Sequence, residues 1–160
     1  MISNITIQNV RCFSGRPFSI PLKPLTLLCG TNSSGKSTVL KSLLLLKQTH
    51  IAGSRYDSAK GLIHFIGPRI DLGNFTTFVS DNDSTRDVSI KLQFDSQSQN
   101  VPEVLRTAFS FGLLGDISGQ MPDVDAAALC LVKKVECEYL SPTAKVKNWE
   151  TRLEIGRAHV

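Results

Sequence analysis

The chain has 160 residues, of which 41% are hydrophobic and 20% charged. That is ordinary globular usage, which excludes a disordered tail, a collagen-like repeat and a coiled coil, and the length fits one domain or a piece of a larger one. Lys and Arg number 18 against 14 Asp and Glu, leaving +4 and a pI of 9.0, an excess that suits anionic partners without singling out nucleic acid.

The N-terminus, MISNITIQNV, has neither the basic start nor the apolar run of a signal peptide. Ile5, Thr6, Ile7 and Gln8 alternate with period two and predict a half-buried strand ending near Ile2 and Val10. Phe18, Ile20 and Leu22 alternate again, and Pro21 and Pro24 restrict that run to a sheet edge. Leu25 to Cys29 is apolar apart from Thr26, the pattern of a strand buried on both faces. From Gly35 to about Thr49 the period becomes helical. Val39, Leu40, Leu43, Leu44 and Leu46 form an apolar face wide enough for a helix covered on more than one side.

The leucine run Leu43–Leu46 is far too short to span a bilayer, so a cytoplasmic chain with no membrane contact is expected. Gly53 to Lys60 is polar and loop-like. Val88–Phe94 and Val135–Tyr139 alternate as strands, and the polar stretches Asp81–Arg86 and Asp95–Asn100 predict turns. Residues 101–130 fit no single pattern. Cys12, Cys29, Cys130 and Cys137 lack CxxC spacing, and three histidines do not complete a zinc site. Four reduced thiols are expected, at least two of them in strand-like runs.

The chemistry is concentrated in Gly30-Thr31-Asn32-Ser33-Ser34-Gly35-Lys36-Ser37, which satisfies GxxxxGK[ST] in full. Glycines at Gly30 and Gly35 let the backbone turn tightly, so that amides through Asn32, Ser33 and Ser34 can approach phosphate oxygens. The helix beginning near Gly35 adds unpaired amides and its positive dipole end. Lys36 is expected to reach the β- and γ-phosphates of ATP, and the Ser37 hydroxyl to ligate Mg²⁺. Thr38 is placed to bond a phosphate oxygen nearer the ribose. An apolar run before the loop and an amphipathic segment after it supply the context that a chance glycine-serine turn lacks.

Small GTPases and nucleotide kinases usually place this loop after their first strand. Here 29 residues with two further strands precede Gly30. That arrangement, with Asn32 as the third loop residue, resembles the ATP-binding-cassette ATPases of the SMC, recombination-mediator and OLD type, among the bacterial AAA-type P-loop NTPases. The resemblance covers residues 2–50 well and 61–94 loosely. It implies an α/β fold, the N-terminal part of a P-loop NTPase of ABC-ATPase type, with a mixed sheet, a P-loop helix and an antiparallel β lobe. It further implies ATP and Mg²⁺ as ligands, an ATP-dependent homodimer when complete, and DNA or phage defence as the setting, with DNA a candidate partner of the full-length protein. Asn9-Val10-Arg11-Cys12-Phe13 looks like the family's N-terminal motif and makes Arg11 a candidate phosphate or base contact; Phe13 reads as core. Ile70-Asp71-Leu72-Gly73-Asn74-Phe75 also looks like a recurrent stretch of bacterial defence-associated relatives, and a strand ending in a glycine turn is the expected role.

Two look-alikes lack context. Ile117-Ser118-Gly119-Gln120 resembles the cassette signature, but the next apolar run, Ala126–Val132, ends in Lys133-Lys134 rather than an acid. Asp116-Ile117-Ser118-Gly119 fits the DxxG of GTPases, yet no NKxD follows. Asp123 and Asp125 read as a solvated loop. Without a Walker B acid, a signature or a switch histidine, no catalytic residue is assigned, and the isolated chain is expected not to hydrolyse ATP. A GTPase-type switch and a non-catalytic fragment are the alternatives. Finally, Glu154-Ile155-Gly156-Arg157-Ala158-His159-Val160 resembles the peptide encoded by one reading frame of a common sequencing adapter. Residues 1–153 are accordingly read as an incomplete P-loop ATPase domain and 154–160 as an addition to it.

Overall fold

Alternating Ile5 and Ile7 lie at the centre of strand β1 (Ile2–Gln8), both fully buried. The computed structural model describes residues 1–55, 62–95, 103–113, 130–140 and 146–152. Beyond β1 these comprise β2 (Phe18–Pro21), helix α1 (Lys36–Arg55), the short helix α2 (Phe75–Phe78), β3 (Val88–Phe94), β4 (Glu103–Leu113), β5 (Cys130–Leu140) and β6 (Val146–Arg152). The strands form one six-stranded sheet in the order β2-β1-β3-β4-β5-β6, with each neighbouring pair antiparallel.

The predicted edge strand is an edge strand: β2 pairs with β1 alone, and Pro21 faces Asn4 at its end, where a missing N–H costs no ladder bond. In register, Ile5 opposes Leu92 and Ile7 opposes Ile90, which in turn opposes Phe109. One sheet face therefore carries the core, with Val88, Ile90 and Phe111 joining Ile5 and Ile7. Across it pack Val39 and Leu45 from α1 and an aromatic group of Phe65, Phe75 and Phe78. Phe78 lies 5.4 Å from Phe65 and 6.4 Å from Phe111, centroid to centroid. Each such ring contributes roughly 1.5–3 kcal/mol through apolar burial.

The stretch around Asp71–Phe75 is held by local turn and cap hydrogen bonds. Gly67 donates to Ile70, and Leu72 to Phe65, closing a small hairpin. Only an isolated bridge, Ile66 to Asp71, forms there instead of a strand; the turn runs through Gly73 at φ 74°. Asn74 then caps α2, accepting from the Thr77 amide at 3.0 Å while Thr77 Oγ1 accepts from the Asn74 amide at 3.3 Å. Gln48 fastens this hairpin to α1. Its amide nitrogen donates to the carbonyls of His64 (2.8 Å) and Ile70 (3.2 Å), and its oxygen accepts from the amides of Arg69 and Ile70, both at 3.2 Å. A buried carboxamide satisfied on both sides carries no desolvation penalty beyond its bonds.

Four expectations are corrected. Leu25–Cys29 is not a buried strand: it pairs with no described strand, and Leu25 and Leu27 are 80% and 78% exposed. For the same reason the described sheet is antiparallel rather than mixed. α1 is covered on one side only, since Leu40 is 57% exposed while Val39 and Leu45 are buried. The helix also continues through Gly53 to Arg55, where a loop was expected, because one interior glycine costs only about 1 kcal/mol. The polar stretch 96–100, the signature and DxxG look-alikes, Asp123, Asp125 and residues 154–160 lie outside the described residues. Among the described residues no helix is long and apolar enough to cross a membrane, and no group of His, Cys, Asp or Glu could hold a metal ion.

Candidate functional site

The loop between the Leu25–Cys29 segment and α1 closes around its own lysine. Lys36 Nζ donates to the carbonyls of Gly30 at 2.8 Å and Thr31 at 2.5 Å, with Ser34 Oγ at 3.4 Å. The chain can make this turn because Gly30 adopts φ 152°, Ser33 φ 65° and Gly35 φ 92°. Two of those are glycines for a steric reason as well. A Cβ at Gly30 would sit 2.9 Å from Ser34 Oγ, and one at Gly35 would sit 2.6 Å from Phe13 Cζ and 2.7 Å from Cys12 Sγ. α1 starts immediately afterwards, with the Val39 amide donating to Gly35 at 3.1 Å.

Beside the loop is a cavity of about 350 Å³ lined by Arg11, Cys12, Asn32, Ser33, Gly35, Lys36, Ser37 and Thr38. That volume is at the lower end of small-molecule sites. Of the predicted site residues, Arg11, Asn32, Ser33, Gly35, Lys36, Ser37 and Thr38 are thus brought together, the first from a segment well separated in sequence. Gly30 and Ser34 lie behind this wall, touching Lys36. Thr38 is 5% exposed, and its carbonyl accepts from the buried Ser42 hydroxyl at 2.8 Å, which fixes the first turn of α1. Two cations, Lys36 and Arg11, face the cavity with hydroxyls and the start of a helix, and no carboxylate lines it among the described residues. Such a wall favours an anion rich in oxygen acceptors. The Ser37 hydroxyl is a hard oxygen donor suited to Mg²⁺, which binds few protein ligands and leans on substrate phosphates for the rest.

Sequence reasoning missed Cys12. Its position next to Arg11 was the available signal, but its approach to Gly35 is a tertiary contact. Phe13 packs against the core and stacks on Phe18 with centroids 5.0 Å apart. The described part of the Ala126–Val132 run, Cys130–Val132, begins β5 and pairs with β4, and none of these residues lines the cavity. Lys133, at its end, is bound to Asp87 at 2.5 Å. Cys130 is fully buried there, and burial pushes its thiol well above the usual range, so it stays protonated and inert.

A glycine-rich loop, its lysine and a following helix beside a cationic cavity define the P-loop class of nucleotide-binding ATPases. A family model described as an AAA ATPase domain matches residues 1–154, and the chain belongs to that family of ATP-binding ATPase domains. No curated protein matches it.

Proposed function

We propose that this chain is the ATP·Mg²⁺-binding part of an ATPase of the SMC, recombination-mediator and OLD type, acting in DNA repair or phage defence in the full-length cytoplasmic protein and dimerising around ATP. The observation that carries this reading is the placement of the loop. Strands β1 and β2 precede Gly30 and join β3 in one antiparallel sheet, and the turn after β1 brings Arg11 to the cavity that Lys36 also lines. In this reading the amides of Asn32 to Gly35 cradle the phosphates, Lys36 and Arg11 neutralise them, Ser37 ligates Mg²⁺ and Thr38 takes an oxygen nearer the ribose.

Residues 1–153 are an incomplete domain in the same reading, with 154–160 an adapter-derived addition. The exposure of Leu25, Leu27 and Leu40 supports it, because apolar side chains flanking a phosphate loop are expected under further sheet or helix. With no carboxylate on the cavity wall among the described residues to orient water, the isolated chain binds nucleotide without turning it over.

Calorimetric titration of the chain with ATP and GTP, with and without Mg²⁺, tests this. ATP binding strengthened by Mg²⁺ and weakened in Lys36→Ala is expected. Strong preference for GTP would replace the reading with a nucleotide switch, and weak binding without discrimination would leave a non-catalytic fragment.

A further inference from the structure

Among the described residues, four of the five non-glycine residues with positive φ lie at one junction: Asn9 (59°), Arg11 (47°), Asp81 (58°) and Asn82 (53°). A long side chain such as Arg rarely adopts that conformation, and it persists only where surrounding bonds over-determine it. Some close within the Asn9–Gly15 turn, from the Phe13 amide to the Val10 carbonyl at 2.8 Å and from the Gly15 amide to Asn9 Oδ1 at 3.1 Å, and the others run from the turn to the segment 78–87. The Arg11 amide donates to the Phe78 carbonyl at 2.9 Å, and the Ser80 amide to the Asn9 carbonyl at 3.1 Å. Asn9 Nδ2 donates to the Asp87 carbonyl at 2.9 Å. Phe78 itself is fully buried, so its carbonyl is a fixed anchor.

At the outer end of the turn the contact is ionic. Asp81 Oδ2 accepts from Ser14 Oγ at 2.7 Å and from Arg86 Nη1 at 2.8 Å. Arg86 Nη1 also donates to Ser14 Oγ at 2.9 Å, while its Nε donates to Asp83 Oδ2 at 2.8 Å. Asp81, Arg86 and Ser14 form a closed triangle three residues beyond Arg11. None of the three lines the cavity, and the Asp81–Arg86 pair is exposed on the surface, at 58% and 37%, where ion pairs do little for overall stability. The triangle's three bonds tie Ser14, in the turn, to Asp81 and Arg86.

We infer that Asp81 is a positioning residue: through Ser14 and Arg86 it holds the Asn9–Gly15 turn so that Arg11 faces the phosphate cavity. The inference rests on the reading of that cavity as an ATP site, and it gives the segment following Gly73 a role, as the buttress of the Arg11 wall. A guanidinium displaced by about an ångström loses much of a charge-assisted bond to phosphate.

Two measurements on the 160-residue chain test it. The first needs no nucleotide. Cys12 directly follows Arg11, and Cys29 is a second exposed thiol outside the turn. Maleimide labelling resolved by peptide mass spectrometry should show Cys12 reacting roughly threefold or more faster in Asp81→Asn, with Cys29 unchanged as the internal reference. Ser14→Ala, which removes only the hydroxyl link, should act in the same direction and serves if Asp81→Asn does not fold. An unchanged Cys12 rate in both variants would overturn the clamp. The second is a double-mutant cycle on Mg·ATP affinity. Asp81→Asn should weaken binding about three- to tenfold in the wild-type background and not at all in Arg11→Ala. Equal losses in both backgrounds, or no loss in either, would show that Asp81 does not act through Arg11. If Lys36→Ala leaves ATP binding unchanged, the reading of the cavity fails, while the labelling result still decides whether Asp81 holds the turn.

Discussion

Gly35 and Phe13 are packed so closely that a Cβ on the glycine would lie 2.6 Å from Phe13 Cζ. The N-terminal turn and the phosphate loop are therefore in direct contact, and the geometry of one limits the other. Gly35→Ala meets two obstacles, the crowding and φ 92°. Strain at such a site is of the order of 1–3 kcal/mol, and overpacking adds a similar amount. The expected outcome is a lower melting temperature together with weakened ATP binding. Shortening the neighbour, in Gly35→Ala/Phe13→Leu, should relieve the crowding but not the backbone strain, so recovery should be partial. Full recovery would mean that φ at Gly35 is not a constraint.

Lys36 supplies the one ammonium within the loop, and its Nζ rests on the Gly30 and Thr31 carbonyls. Replacing it by Ala removes a cation that the phosphates would otherwise meet, at a cost of about 1.5–3 kcal/mol, roughly ten- to a hundredfold in affinity. The fold should survive, because the lysine's contacts are confined to the loop. Calorimetry and a melting curve on the same Lys36→Ala sample separate the two effects. Unchanged affinity would remove the assigned role.

Ser37 is predicted to matter through the metal. Ser37→Ala should weaken Mg²⁺-nucleotide binding several-fold and leave metal-free nucleotide binding nearly unaltered. Titrations in EDTA and in excess Mg²⁺ make the comparison, and equal losses in the two would assign the hydroxyl to phosphate instead.

Much of this site was legible in the sequence, and the illegible parts share a cause. GxxxxGK[ST] specifies its loop because the backbone requirements are local, and the 3.6-residue spacing of Val39, Leu43 and Leu46 marks α1 for the same reason. Ile5 and Ile7, like Val88 and Ile90, show their strands through alternation along a few residues. Leu25–Cys29 reads as buried because burial is inferred from composition, whereas it depends on neighbours that a run of five residues cannot supply. The cavity wall is harder still. Cys12 meets Gly35, and the Arg11 amide meets the Phe78 carbonyl, across long stretches of chain with no periodicity to announce either contact. β4 escaped notice because Arg106-Thr107-Ala108 interrupts the alternation that resumes at Phe109 and Phe111.

Asp83 gives a pH dependence with a definite sign. The Thr85 hydroxyl donates to its carboxylate at 2.6 Å and the Thr85 amide at 3.1 Å, with Arg86 alongside; together they hold the carboxyl below its usual range, the Thr85 hydroxyl most of all. A depressed carboxylate stabilises the folded state above the unfolded pKa, near 3.9, and that contribution is lost as pH falls through the lower folded value. Stability should therefore drop on acidification below about pH 4 and be flat above about pH 5 as far as Asp83 is concerned. Asp83→Asn and Thr85→Val should both make the acid limb shallower in melting experiments. An unaltered limb in both would show that the bond contributes nothing to the linkage.

Leu25 and Leu27 provide a last test, one that separates exposed from internally packed apolar side chains. Both project into solvent, at 80% and 78% exposure, from a segment that pairs with no described strand. A leucine packed within a domain costs about 2–5 kcal/mol when truncated, which for a chain of this length lowers the melting temperature by several degrees per kcal/mol. An exposed leucine has almost nothing to lose and contributes instead to association between molecules. Leu25→Ser/Leu27→Ser should raise the solubility of the chain and shift its melting temperature by no more than about 2 °C. A control at a buried position of the neighbouring helix, Leu45→Ala, should lower it by about 5 °C or more. A large fall in the double serine variant would place both leucines in a core, returning Leu25–Cys29 to the buried strand its composition suggests. The expected result would mean that these leucines await cover from outside the described residues, and that Mg·ATP, binding beside an uncovered segment, can stabilise the chain only by its own modest RT ln(1 + [L]/Kd).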